Sequence, residues 1–130
     1  MNTQEVVEFW LTGAEDDLKS ANKLHQGEQY HHALFFGQLY LEKIAKAYLV
    51  TVSAKHPLPI HDITQLLKRA DLPLTGDQSK ELDEISSFSM EARYDDYKFK
   101  FKQKATKEFA DVWMMKIKEY ATWLINLIKK

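Results

Sequence analysis

The chain has 130 residues, a formal net charge of −1, and 45% hydrophobic against 28% charged residues. That is enough for one compact domain with its own core, and it is not the composition of a disordered chain. There is no cysteine, which excludes disulfide frameworks, thiolate metal sites and a cysteine nucleophile, and four glycines with three prolines suit long helices better than a turn-rich β-sandwich.

The N-terminus lacks a basic start followed by an apolar run, so it does not read as a signal peptide. No apolar stretch approaches the ~20 residues of a membrane span, and a cytoplasmic location is expected. A first helix is predicted over residues 3–24. Its start has Gln4 and Glu5 in the first turn but no full capping box from Thr3. Val6, Trp10, Ala14, Leu18, Ala21 and Leu24 recur at spacings of three and four and form its apolar stripe. Gly27 is the expected stop.

The second helix is predicted over residues 28–53, with Tyr30, Leu34, Leu41, Ala45, Tyr48 and Val52 on its stripe. Gln38 intrudes among these apolar residues. Glu42 and Lys46 follow it at single-turn steps, so the three align along one edge. Two readings of that edge stand: a solvated Glu–Lys pair beside a core glutamine, or the polar floor of a pocket. Ala33 and Gly37 invite close approach by another helix. Pro57 and Pro59 then enforce an extended connector. A short third helix follows to about residue 70, with Asp62 as N-cap and Ile63, Leu66 and Leu67 facing inward. A fourth is predicted from about residue 75 or 77 to 88, with Leu82, Ile85 and Phe88 or Ser89 inward.

Residues 89–102 break the helical pattern. Arg93, one of two arginines in the chain, stands beside Tyr94, and Lys98, Lys100 and Lys102 alternate with Phe99 and Phe101. That period of two predicts an extended, strand-like passage with lysines on one side and aromatics on the other. A guanidinium fork suits phosphate, and rings among ammonium groups suit the bases and phosphates of single-stranded nucleic acid. The structural alternative packs the rings on the bundle, leaves the lysines in water and pairs Arg93 with Glu91, Asp95 or Glu42. A last helix is predicted over residues 104–129, with a wide apolar face that includes Phe109, Val112, Trp113, Met115 or Lys116, Tyr120, Trp123 and Leu124. From residue 98 onward nine lysines face three acids, so the C-terminal third is basic and the remainder acidic.

The five histidines show no metal-ligand spacing, and there is no glycine-rich phosphate loop and no nucleophile elbow. No metal and no cofactor is indicated. The run Tyr30-His31-His32-Ala33-Leu34-Phe35-Phe36-Gly37-Gln38-Leu39-Tyr40-Leu41-Glu42-Lys43-Ile44-Ala45-Lys46-Ala47-Tyr48 resembles the signature of HEPN domains. So do Ala14-Glu15-Asp16-Asp17-Leu18 with Ala21, Pro59-Ile60-His61-Asp62-Ile63, and Ala92-Arg93-Tyr94-Asp95-Asp96. The resemblance covers nearly the whole chain. It implies an all-α antiparallel bundle of about five helices in a single domain, to which the period-two reading adds an extended segment before the last helix. It also implies a homodimer and a minimal nucleotidyltransferase as partner in a toxin–antitoxin-like pair, with nucleotide or RNA as ligand.

HEPN ribonucleases carry a histidine four to six residues beyond the arginine that Arg93 matches, and here those positions hold Lys98, Phe99 and Lys100. A proton shuttle near neutral pH is therefore missing from the motif. The leading expectation is a non-catalytic binding module, with Arg93 on phosphate, Tyr94 stacking or hydrogen-bonding, Lys98 nearby, and Gln38, Glu42 and Lys46 lining the adjoining helix edge. The rivals are a metal-independent endoribonuclease using Arg93 with Lys98 or Lys100, and a structural helical interaction protein.

Overall fold

In a computed structural model the chain forms six helices among its described residues: α1 (Thr3–Gln26), α2 (Tyr30–Ser53), α3 (Ile63–Arg69), α4 (Gly76–Arg93), α5 (Asp95–Lys104) and α6 (Lys107–Ile128). The structure describes every residue except 58 and 94, and every side chain except theirs and those of residues 92, 93 and 95–97. No described helix is long and apolar enough to cross a membrane.

α2 is the axis of the bundle and touches each of the other five helices. Its length and apolar content explain this, since Leu34, Leu41, Ile44, Ala45, Ala47 and Val50 cover more of its circumference than one stripe. α1 runs antiparallel to it, as the Asp17–Lys43 ion pair and the Trp10–Lys46 contact fix the register. α6 runs parallel to α2. Gly37 lies against Met114 and Ile117, and Ile128 packs near Ala47 and Val50. A Cβ on Gly37 would stand 3.0 Å from Ile117 Cδ1, so the missing side chain is what lets α6 come this close.

α4 lies antiparallel to α6, and its inward residues Leu82, Ile85 and Phe88 are the predicted ones. The start of α3 is tied to α4 by the Ile63 N–H donating to Ser86 Oγ and by Thr64 Oγ1 donating to Asp83. Asp62 caps α3 as predicted, accepting from the Gln65 N–H.

Several expectations are corrected. The α1 cap is Asn2, not Thr3, and it forms a full capping box with Glu5. Gly27 does end α1, but with a negative φ. The left-handed residue is Glu28, at φ 63°. Val52, Val112 and Met115 are exposed instead of inward. The largest correction concerns residues 89–102. α4 continues to Arg93, and α5 then occupies the stretch expected to be extended. α5 folds back along α4, because Phe101 stacks on Phe88 with centroids 5.5 Å apart and Lys104 reaches Glu84.

Candidate functional site

Two groups of predicted site residues emerge, and no described hydrogen bond or ion pair joins them. The first is the α2 line. Gln38, Glu42 and Lys46 are 0%, 5% and 6% exposed, which corrects the reading of a solvated pair. Glu42 is the hub. Its Oε1 accepts from Gln38 Nε2 at 2.9 Å and its Oε2 accepts from Lys46 Nζ at 3.0 Å. His61 Nδ1, from the connector before α3, stands 3.1 Å from the same Oε2. The Lys46 ammonium also sits over the Trp10 ring, 4.9 Å from its centroid. Gln38 Oε1 is buried with no hydrogen-bond partner among the described residues.

The chemistry of this line is that of a brace. A buried carboxylate needs a counter-charge and donors, and the protein supplies Glu42 with both. The line also joins α1, α2 and the connector through the Lys46–Trp10 and Glu42–His61 contacts. The sequence signal was Gln38 on the apolar face. The contributions of Trp10 and His61 are long-range and had no local signal.

The second group lies at the α4–α5 junction. Arg93 is the last residue of α4, and Tyr94 lies outside the described residues, as does the Arg93 side chain. The proposed pairing of Arg93 with Glu91, Asp95 or Glu42 therefore also falls outside the described residues. On α5 itself the aromatics divide. Phe101 is 1% exposed and belongs to the core, whereas Phe99 is 69% exposed. Lys98, Lys100 and Lys102 are all exposed, and none has an ion pair among the described residues. Helical geometry places Lys98 and Lys102 one turn apart with Phe99 beside them.

Lys104 differs from the other α5 lysines. It turns inward to Glu84 at 2.8 Å and Glu91 at 3.8 Å and lies over the Phe109 ring. Burial lowers its pKa, but the Glu84 and Glu91 carboxylates outweigh that and hold it above the ordinary lysine value. Glu91 is shifted up by burial despite Lys104, and its Oε2 is buried with no partner among the described residues. His31 and His32, at the start of α2, lie with ring centroids 3.9 Å apart. Burial holds His31 below its ordinary value, with His32 and the α5 residue Lys102 adding to the effect. The start of α2 thus borders the basic helix α5.

Comparison with known proteins agrees with this architecture. The HEPN domain family profile matches residues 7–127. The chain belongs to the HEPN domain family. The crystal structure of TT1696 from Thermus thermophilus is similar in fold, with a TM-score of 0.76 at 20% identity, covering 97% of this chain and 98% of that one. No curated protein matches the chain in sequence. This HEPN chain presents Lys98, Phe99 and Lys100 at exposed positions of α5.

Proposed function

We propose that this HEPN protein is a non-catalytic module that binds nucleotide or single-stranded RNA through α5, and that it works as a homodimer beside a minimal nucleotidyltransferase. The observation that carries the reading is Phe99, exposed among the exposed ammonium groups of Lys98, Lys100 and Lys102. A solvated ring is available to stack on a base, and the exposed lysines are available to phosphates. In the same proposal Arg93, the last residue of α4, contributes to phosphate and Tyr94, next in sequence, to the base. In this reading Gln38, Glu42 and Lys46 hold the scaffold and do not touch ligand.

The binding reading is favoured over ribonuclease activity by the same residues. A lysine serving as general base is held out of water. Lys98 and Lys100 are exposed.

The test is a fluorescence titration of single-stranded RNA at two salt concentrations. Each lysine removed from the contact lowers the slope of log affinity against log salt by about 0.7. The triple variant Lys98→Gln, Lys100→Gln, Lys102→Gln is therefore expected to lose about two units of slope. Binding with an unchanged slope refutes the assignment to α5. The partner is tested by co-expression with a nucleotidyltransferase encoded beside this chain, where failure to co-purify counts against the pairing.

A further inference from the structure

We propose a second anion site, for a phosphate monoester, at the end of the bundle where α2 meets α3. A cavity of about 420 Å³ lies there, lined by Leu49, Ser53, Lys55, His56, Pro57 and Arg69. The volume is in the range of small-molecule sites. Two cations and an imidazole line it, all three on exposed residues, and its described lining contains no carboxylate. Neither Lys55 nor Arg69 has an ion pair among the described residues.

The chain brings these groups together for separate local reasons. α2 ends at Ser53, and Ala54 takes a left-handed φ of 57°, which turns the chain sharply and carries Lys55 and His56 back over the helix end. Pro57 stiffens the return. Arg69 arrives independently, as the last residue of α3, a helix anchored on α4 through Ile63 and Thr64. Ser53 Oγ is engaged with Leu49 O at 2.7 Å and accepts from the Lys55 N–H at 3.3 Å, so it shapes the site and the cations supply the recognition.

A guanidinium beside an ammonium and an imidazole matches the three oxygens of a terminal phosphate. Buried Leu49 and half-buried Pro57 add an apolar wall for the group that carries the phosphate. The site is distinct from α5, because it involves the opposite end of α2 from His31 and Lys102.

The rival role for these cations is to offset the negative end of the α2 dipole, whose last turn has no basic residue of its own. Isothermal titration with inorganic phosphate, against chloride at matched ionic strength, separates the two. The expected result is saturable binding of phosphate. Arg69→Gln is expected to weaken it about 10-fold, as loss of one charge-assisted contact would, while Lys68→Gln, exposed on the same helix but outside the lining, leaves it unchanged. A 5′-phosphorylated RNA binding more tightly than its 5′-hydroxyl form, with the difference lost in Arg69→Gln, would place the monoester on an RNA end. Absent phosphate binding overturns the proposal. So does equal binding by Arg69→Gln, or an Arg69→Gln variant that only lowers the melting temperature. Equal weakening by Lys68→Gln would reduce the effect to net charge and also overturn it.

Discussion

Replacing Glu42 by Gln keeps the side-chain volume and removes one charge from the interior. In the native protein that carboxylate meets Lys46 at 3.0 Å and Gln38 at 2.9 Å, with His61 at 3.1 Å. After substitution the Lys46 ammonium, on a residue 6% exposed, loses its counter-charge and faces only a neutral amide oxygen and the Trp10 ring. Removing one member of a buried ion pair costs roughly 3–5 kcal/mol, because the other charge stays buried and uncompensated. Against a total stability of about 5–15 kcal/mol that is a large share, and for a chain of this size it lowers Tm by roughly 10–20 °C. Urea unfolding followed by tryptophan fluorescence reads the change directly. The double variant Glu42→Leu with Lys46→Met removes both charges and is expected to recover part of the loss, short of the roughly 1–3 kcal/mol for the Gln38 amide left without its acceptor. A Glu42→Gln protein within about 0.5 kcal/mol of the native one refutes the brace, and so does a double variant no better than the single.

The remaining predictions concern the α5 region and the acid limb of stability. Phe101→Ala removes a fully buried ring stacked on Phe88 and is expected to cost about 3–5 kcal/mol, whereas Phe99→Ala, on the exposed side of the same helix, stays within about 0.5 kcal/mol; equal losses in urea unfolding would mean that the helix is turned differently. His31 is held below its ordinary value of 6.5 by burial and then by His32 and Lys102, so the folded chain binds fewer protons there than the unfolded chain. Its effect is therefore a loss of stability as pH falls below about 6.5. Stability measured at pH 7.5 and 5.5 is expected to fall less in His31→Gln than in the native protein, and identical falls would contradict this. Glu81 is depressed by its hydrogen bonds from Lys116 and Tyr120, so its contribution is complete above its ordinary 4.5 and disappears as pH falls through the lower folded value. Glu81→Gln should flatten that acid limb of the stability curve, and an unchanged limb would argue against the Lys116–Glu81–Tyr120 cluster.

The apolar positions of α3 and α4 were legible because helical spacing alone dictates them: Ile63, Leu66, Leu67, Leu82, Ile85 and Phe88 are all buried. α5 was misread for a physical reason. Alternating Lys and Phe has the period of a strand, but Lys and Gln are good helix formers, and the choice was made by a long-range contact. Once Phe101 stacks on Phe88, a helix puts Phe99 outside, where a strand would have kept both rings on one face. The burial of Glu42 and Lys46 was also hidden. An i,i+4 Glu–Lys pair has the same sequence whether it faces water or the core. Only Gln38 on the apolar face hinted at the second outcome, and the residues that make it tolerable, Trp10 and His61, come from other parts of the chain.

We propose that this HEPN chain binds RNA on α5 without cutting it. The most direct measurement is a titration of labelled single-stranded RNA with native protein, Phe99→Ala and Arg93→Ala, with the RNA recovered and sized after each titration. Salt-dependent binding of intact RNA, weakened by about 1–3 kcal/mol in Phe99→Ala, is the predicted result. Cleavage by the native protein that disappears in Arg93→Ala, or binding indifferent to Phe99, contradicts it.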